Sequence, residues 1–426
     1  MGTKGTIRRA MVGAAAAAAM LASATLVASA ADMQTTRTLD ELKAEVIKRA
    51  SQVPPRSMVA GMRLDDVRGA LDNIHSLDRD EWARAWMAVG DRYMEQGKKA
   101  EAARDIKAAR DSYIRAYRYY KFGHYPTNNS TEKNKSYAKG IDAFLAYANF
   151  LDPKLEVVRI PFEGKEVVGY LRLPKTARAD AKVPLVFLVT ALDSRKEEWM
   201  ERNDDYLGRG IGIFVTDMPG TGQAPIKGDE KAERMLSAAL DYLSNRPEVD
   251  ARRIGFYGGS WSGYWAVKMA VVEKDRLRAV VSQGTPAHHY FQPEWQRVAV
   301  NTPEYLMDLF PARAMVYQVD TLEQFLAYGP KMSLKAQGII DRPSAPMLLV
   351  NGTKDSQVPI ADLFLVASTV PGGTKETWVN PDGGHMGNSN VWPSERIRKE
   401  IVAPWMVRML TAPDREVAAN AGPGGE

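Results

Sequence analysis

The sequence predicts an α/β fold, in which a mostly parallel β-sheet has helices on both faces and follows an N-terminal helical domain. Three observations support this prediction. From Val183 onward, short apolar strands alternate with helical patterns, which is typical of a covered parallel sheet. Residues 39–150 carry an almost purely helical periodicity. A glycine-rich strand–turn–helix pattern occupies residues 253–268 in the middle of the alternating region.

The composition is that of an ordinary globular protein. The 426 residues, 45% hydrophobic and 26% charged, are enough for two or three domains and a sizeable core. The net charge of +5 is spread over both signs without a dense Lys/Arg block, so no nucleic-acid partner is expected. The absence of cysteine excludes a thiol nucleophile, a cysteine metal site and any disulfide.

The N-terminus has the three parts of a secretory signal peptide. Lys4, Arg8 and Arg9 precede an alanine-rich apolar run, and Ala28-Ser29-Ala30 supplies an A-x-A cleavage site. The run is too short and too rich in alanine to favour the alternative, a membrane anchor. We therefore expect residues 1–30 to be removed and the protein to be exported, to the periplasm or the medium. No later stretch is apolar enough to span a membrane.

Residues 31–152 are predicted to form the helical domain. Apolar residues at helical spacing indicate three helices, at Asp80–Gln96, Lys98–Phe122 and Lys133–Phe150, with Gly97 expected to end the first. The aromatic faces are interpreted mainly as core packing. The alternative for the cluster that ends at His124 is the wall of a cleft, so His124 is a tentative pocket residue.

Residues 153–411 are predicted to form the catalytic domain. A hairpin comes first, with strands at Leu155–Phe162 and Val167–Leu173. The later strands are predicted at Val183–Val189, Ile211–Asp217, Leu277–Ser282, Pro346–Gly352 and Glu376–Val379. A helix at Ser394–Leu410 closes the domain, and the Gly/Ala/Pro-rich tail, residues 412–426, is expected to be mobile.

The stretch around Ser260 matches the nucleophile elbow of an α/β-hydrolase. A short apolar strand leads into a glycine-rich turn with Ser260 at its tip, and a helix follows. The sharp turn requires small residues on both sides of the serine, and Gly258 lies two positions before it. Ser262 stands where the motif usually has glycine. The alternative, a phosphate-binding turn, lacks the G-x-x-x-x-G-K-[ST] pattern.

A serine nucleophile needs a base and a carboxylate that orients the base. In α/β-hydrolases these follow in the chain order serine, acid, histidine. Asp355 comes just after the strand that ends at Val350, and His385 lies in a glycine-flanked loop after the last strand. We therefore predict the catalytic set Ser260, Asp355 and His385, with His385 as general base and Asp355 fixing its tautomer.

The remaining site residues are predicted from their positions after strands. One oxyanion donor is expected from the backbone N–H of Trp261, and the second from Ala191 or Leu192. His288, His289 and Tyr290 follow another strand and are tentative pocket residues. An adjacent histidine pair does not easily chelate one metal and no H-E-x-x-H motif exists, so neither metal nor cofactor is expected.

The motifs together resemble the 2,6-dihydroxypseudooxynicotine hydrolase group, which includes related esterase-like and fungal heptaketide-shortening hydrolases. The resemblance is carried by the sequences of residues 258–268, 191–198 and 217–222 and by the helical N-terminal domain. It covers residues 82–409 and implies an α/β-hydrolase whose helical domain contributes to a cleft, often in a dimer. It also implies hydrolysis of an ester, or of a carbon–carbon bond beside a ketone.

Matching the motifs of that group places its nucleophile at Ser260, its acid at Asp355 and its base at His385. The sequence departs from the group at Ser262 and at Thr190-Ala191, where glycines are usual. The export signal is a further departure, so the group's substrate is not carried over. We expect an exported serine hydrolase that cleaves an ester or acyl bond of a small or medium-sized substrate. The alternatives are a carbon–carbon hydrolase, a peptidase, or a binding protein on a hydrolase scaffold.

Overall fold

The computed structural model describes residues 35–52, 57–300 and 302–413. The predicted signal peptide and nearly all of the predicted tail lie outside these residues. Within them, the N-terminal part is helical up to residue 148. Its helices are α1 Leu39–Ala50, α2 Leu64–Asp72, α3 Arg79–Ala102, α4 Ile106–Gly123 and α5 Thr131–Ala148. The first strand begins at Glu156, and the division into domains near Asp152 stays a prediction.

The predicted boundary between the two long helices at Gly97 is wrong. Helix α3 continues through Gly97 to Ala102, and the turn lies instead at Arg104, which has a positive φ of 60°. Asp105 then caps α4 by accepting a hydrogen bond from the Ala108 N–H. Gly97 serves helix packing, because a Cβ there would lie 2.6 Å from the ring of Tyr113 on α4.

An eight-stranded sheet follows, in the spatial order β1-β2-β4-β3-β5-β6-β7-β8. The first two strands form an antiparallel hairpin and β2 pairs antiparallel with β4, whereas all later pairings are parallel. The predicted mostly parallel sheet is confirmed. The strands are β1 Glu156–Phe162, β2 Lys165–Arg172, β3 Val183–Val189, β4 Gly212–Thr216, β5 Val249–Gly259, β6 Leu277–Gln283, β7 Met347–Gly352 and β8 Lys375–Asn380.

Helices cover both faces of the sheet, since every residue of the interior strand β4 is buried. The helices of this part are α6 Lys196–Arg202, α7 Glu233–Ser244, α8 Ser262–Val272, α9 Pro293–Ala299, α10 Leu309–Tyr317, α11 Leu322–Tyr328, α12 Ile360–Thr369, α13 Ser394–Ile397 and α14 Ala403–Thr411. A π-helical stretch, Arg398–Val402, joins the last two where one continuous helix was predicted. In the part of the chain that the structure describes, no helix has the length and apolar character needed to cross a bilayer.

A buried ion pair links the helical part to the segment before α10. The ammonium of Lys133 on α5 lies 2.7 Å from the carboxylate of Asp308, and both side chains are fully buried. Arg79 of α3 donates to the same carboxylate at 2.8 Å. Burial by itself raises the pKa of Asp308, but Lys133 and Arg79 outweigh it and hold this pKa below its ordinary value.

Replacement of Lys133 by methionine is therefore expected to lower the free energy of unfolding by about 3 kcal/mol, because Asp308 loses a buried partner. Lys135→Met is the matched control on the same helix. Lys135 pairs with Glu132 at 2.6 Å but is largely exposed, so its loss is expected to cost about 1 kcal/mol or less. Urea denaturation measures both values. Equal stability of the Lys133 variant and the wild type would contradict the expectation.

Candidate active site

Ser260 occupies a strained turn between β5 and α8. Its φ is 55°, in the left-handed region that residues with a side chain rarely adopt. The chain can turn this tightly because Gly258 has no side chain: a Cβ at that position would collide with the carbonyl oxygen of Ser262. The Ser260 N–H donates to the carbonyl of Gln283 at 2.7 Å, which anchors the turn to the end of β6.

The structure brings Ser260, His385 and Asp355 together at the carboxyl ends of β5, β8 and β7. Ser260 Oγ lies 2.8 Å from His385 Nε2. On the other side of the ring, His385 Nδ1 lies 2.9 Å from Asp355 Oδ2. Because an ionised carboxylate only accepts, we assign the proton to Nδ1, which leaves the Nε2 lone pair free to accept the serine proton.

Hydrogen bonds between side chains and backbone groups fix the two loops that carry Asp355 and His385. Asp355 Oδ1 accepts hydrogen bonds from the N–H groups of Gln357 at 2.8 Å and Val358 at 3.0 Å. The side-chain amide of Gln283 donates to the carbonyl of Met386 at 2.9 Å, next to His385. Residues other than Ser260, Asp355 and His385 therefore help to hold the carboxylate and the imidazole in place.

Electrostatics favour a charged pair of Asp355 and His385. Burial raises the pKa of Asp355, but His385 and the two backbone donors outweigh it and the pKa lies below its ordinary value. Burial lowers the pKa of His385, but the Asp355 carboxylate outweighs it and the pKa lies above its ordinary value of 6.5. The imidazolium that forms when His385 takes a proton is therefore stabilised.

The predicted oxyanion donors Trp261 and Leu192 both line the cavity at Ser260. Trp261 precedes the first turn of α8, where N–H groups have no carbonyl partner within the helix. Of the two alternatives for the second donor, the Ala191 N–H already donates to Ser194 Oγ at 3.0 Å. Among the residues that the structure describes, the Leu192 N–H has no acceptor, so the geometry favours Leu192 over Ala191.

Ser262, which stands in place of a usual glycine, takes no part in the serine–histidine contact. Its side chain is fully buried and its hydroxyl donates to the carbonyl of Thr190, in the loop that carries Leu192. The departure from the motif thus adds a hydrogen bond between the two loops that hold the candidate oxyanion donors.

A very small cavity of about 10 Å³ opens at Ser260 and His385. Leu192, Trp261 and the predicted pocket residue Tyr290 line it. Four further lining residues were not predicted from the sequence: Tyr305, Arg313, Gln357 and Val358. They lie in loops and in α10, where no motif marks them, and only Gln357 and Val358 have a sequence signal, their closeness to Asp355.

The other tentative pocket residues do not line this cavity. His124 is buried against Tyr137, with ring centroids 5.1 Å apart, and burial lowers its pKa well below the ordinary value. His288 Nδ1 lies 2.7 Å from Ser333 Oγ. The backbone N–H groups of His288 and His289 donate to the buried carboxylate of Asp362. None of the three histidines therefore lines the cavity at Ser260, and His289 is exposed at the surface.

Tyr305 reaches the cavity from a segment, residues 302–308, that helix α1 holds in place. Arg37, just before α1, donates to the Pro303 carbonyl at 2.7 Å. Arg49 of α1 donates to the Glu304 carbonyl at 2.8 Å. The segment ends at Asp308, in the buried ion pair with Lys133. We call residues 302–308 the roof segment.

No group of three or more histidine, aspartate and glutamate side chains converges as metal ligands would, as far as the described ranges extend.

An eight-stranded sheet with a serine on the turn after β5, an acid after β7 and a histidine after β8 defines an α/β-hydrolase. The sequence model of the family "Esterase FrsA-like" matches residues 61–381. The chain belongs to this FrsA-like family, and it is a hydrolase of the ester-hydrolysing type.

Individual relatives agree with this assignment. Esterase FrsA of Vibrio cholerae is 28% identical over 313 residues, which are 71% of this chain and 72% of the relative. The alpha/beta hydrolase gkaG of Penicillium citrinum is 28% identical over 265 residues, 59% of this chain and 60% of the relative.

Solved structures confirm the fold. The crystal structure of 2,6-dihydroxy-pseudo-oxynicotine hydrolase matches with a TM-score of 0.68 at 23% identity, covering 82% of this chain and 94% of the other. Wild-type AbyA5 matches with a TM-score of 0.66 at 20% identity, covering 90% of this chain and 98% of the other. The resemblance expected from the motifs is confirmed at the level of family and fold.

Proposed function

We propose that this protein is an exported carboxylic ester hydrolase that works through an acyl-enzyme on Ser260. The observation that carries the proposal is the unbroken chain of contacts from Ser260 through His385 to Asp355. A binding protein has no need for a strained serine in contact with an oriented imidazole. Export is proposed from the sequence of residues 1–30.

In the proposed reaction, Ser260 Oγ attacks the acyl carbon while its proton passes to His385 Nε2. The oxyanion that forms accepts hydrogen bonds from the backbone N–H groups of Trp261 and Leu192. His385 then gives the proton to the departing alcohol, and Ser260 keeps the acyl group. A water molecule, deprotonated by His385, releases the acid and restores the serine.

Ester cleavage is proposed over carbon–carbon cleavage because the family model and the relatives from Vibrio are described as esterases. The likeness to 2,6-dihydroxy-pseudo-oxynicotine hydrolase is one of fold. A panel of p-nitrophenyl esters, β-diketones and aminoacyl amides separates these chemistries. Turnover of the diketones alone would reject the ester proposal.

A fluorophosphonate probe tests the nucleophile directly. We expect the wild type to be labelled at Ser260, since the probe needs a serine activated by a neighbouring base. Peptide mapping of the labelled protein locates the adduct. Ser356 is the matched control, because it is exposed and its hydroxyl contacts Glu304 instead of a histidine. An unlabelled wild type, or an adduct elsewhere than Ser260, would overturn the proposed mechanism.

A further inference from the structure

Arg313 is a buried cation in the wall of the active-site cavity. It lies on α10 with only 2% of its surface exposed, and it lines the same cavity as Ser260 and His385. A guanidinium carries five N–H donors and keeps its charge at any ordinary pH. Its burial therefore costs free energy unless an acceptor or a counter-charge compensates.

The protein supplies only part of that compensation. Arg313 Nη1 donates to the neutral side-chain oxygen of Gln296 at 3.2 Å, and the guanidinium lies 5.6 Å from the ring centroid of Tyr290. The Nε atom is buried and has no hydrogen-bond partner. No aspartate or glutamate among the residues that the structure describes forms an ion pair with Arg313.

The carboxylates near His385 do not supply the missing counter-charge. Asp355 is bound to His385 and to two backbone donors. Glu304 accepts from Ser356. Asp193 forms no ion pair with Arg313, and burial raises the pKa of its carboxyl, which disfavours the charged form that a counter-ion needs. Two aromatic residues, Trp261 and Tyr290, line the same cavity and form an edge-to-face pair.

We propose that Arg313 is a substrate-binding residue that pairs with an anionic group, and that the enzyme prefers esters that carry a carboxylate near the scissile bond. This inference rests on the proposed ester hydrolase function. The planar guanidinium suits a carboxylate, which it binds through parallel N–H···O contacts. The anion replaces the missing counter-charge and engages Nε, and the aromatic walls hold the apolar part of the substrate.

Two matched pairs of substrates test this preference on the wild-type protein. Monophenyl adipate and methyl phenyl adipate differ by a carboxylate on the acyl side. The compounds 4-acetoxybenzoate and methyl 4-acetoxybenzoate differ by a carboxylate on the alcohol side. We expect the carboxylate member of at least one pair to have a kcat/KM about 10-fold higher or more, the size of one charged hydrogen bond. Preference for the neutral member in both pairs would overturn the proposal.

Arg313→Gln is expected to lower kcat/KM for the preferred carboxylate ester by about 10- to 100-fold and for its neutral partner by less than about threefold. Arg313→Lys keeps the positive charge but lacks the planar set of N–H donors, so its kcat/KM for the carboxylate ester should lie between those of the wild type and Arg313→Gln. The exposed Arg297 on α9 is the control, and Arg297→Gln should leave both substrates unchanged.

An equal loss of kcat/KM for the carboxylate ester and its neutral partner would show that Arg313 only supports the fold. That result would overturn the proposal. Fluorophosphonate labelling of each variant reports whether Ser260 is still active. If the wild type were neither labelled nor active on the neutral esters, the ester hydrolase function itself would fail. That outcome is distinct from a lost preference for carboxylates.

Discussion

Replacement of Ser260 by alanine is expected to lower kcat by about 10⁴- to 10⁶-fold, because the nucleophile is lost. The reason is the contact of 2.8 Å between Ser260 Oγ and His385 Nε2, without which no acyl-enzyme can form. Steady-state kinetics on a p-nitrophenyl ester measure the change. The fold should survive, because alanine removes one oxygen at a partly buried position.

Ser262→Ala is the matched control, two residues away on the same turn. It should keep kcat within about threefold, because Ser262 does not contact His385. It should lower the free energy of unfolding by about 1–3 kcal/mol, because the buried carbonyl of Thr190 loses a donor. If Ser262→Ala were the inactive variant and Ser260→Ala the active one, the nucleophile would be Ser262.

Asp355→Asn is expected to lower kcat by about 10⁴-fold, because an amide can hold the wrong tautomer of His385 and leaves the imidazolium without a counter-charge. The pH profile carries a second signature. Only the neutral imidazole acts as base, so kcat/KM of the wild type should rise with pH through a pKa above 6.5. Without the Asp355 charge this pKa falls, and residual activity should begin at lower pH.

Asp382→Asn is the control for that substitution. Asp382 is exposed in the loop before His385 and pairs with Lys354 at 2.8 Å. We expect the kcat of the Asp382→Asn variant to match that of the wild type within about twofold and its pH profile to be unchanged, since exposed ion pairs contribute little. A wild-type profile that declined through the pKa of His385 as the pH rose would contradict the role of His385 as base.

The sheet and the three contacting residues were predictable because strict local patterns mark them. The turn at Ser260 needs small neighbours, and the buried strands β3 and β4 read as continuous apolar runs. Asp355 and His385 follow strands, and the carboxyl ends of parallel strands meet at one edge of the sheet. The chain order and the strand periodicity were therefore sufficient to place them together.

The cavity wall was less predictable because it depends on packing between distant segments. Arg313 and Ser260 line one cavity although they lie on separate elements, α10 and the turn after β5, and no motif around Arg313 marks it as a cavity residue. The histidines at 288 and 289 follow β6, as a pocket residue would, but Asp362 binds their backbone and fixes the loop. Gly97 likewise resembles a helix end, although it accommodates Tyr113.

The small volume of the cavity at Ser260 has a consequence for the measured affinity for substrate. A volume of about 10 Å³ holds no more than one water molecule, so we expect wall residues, Tyr305 of the roof segment among them, to shift when an ester binds. A shift of the roof segment would separate the carbonyls of Pro303 and Glu304 from Arg37 and Arg49. The measured dissociation constant then equals the intrinsic one divided by the fraction of molecules that are open. Weakening the hold of α1 on the roof segment would raise that fraction, and with it the apparent affinity, without any new contact to the substrate.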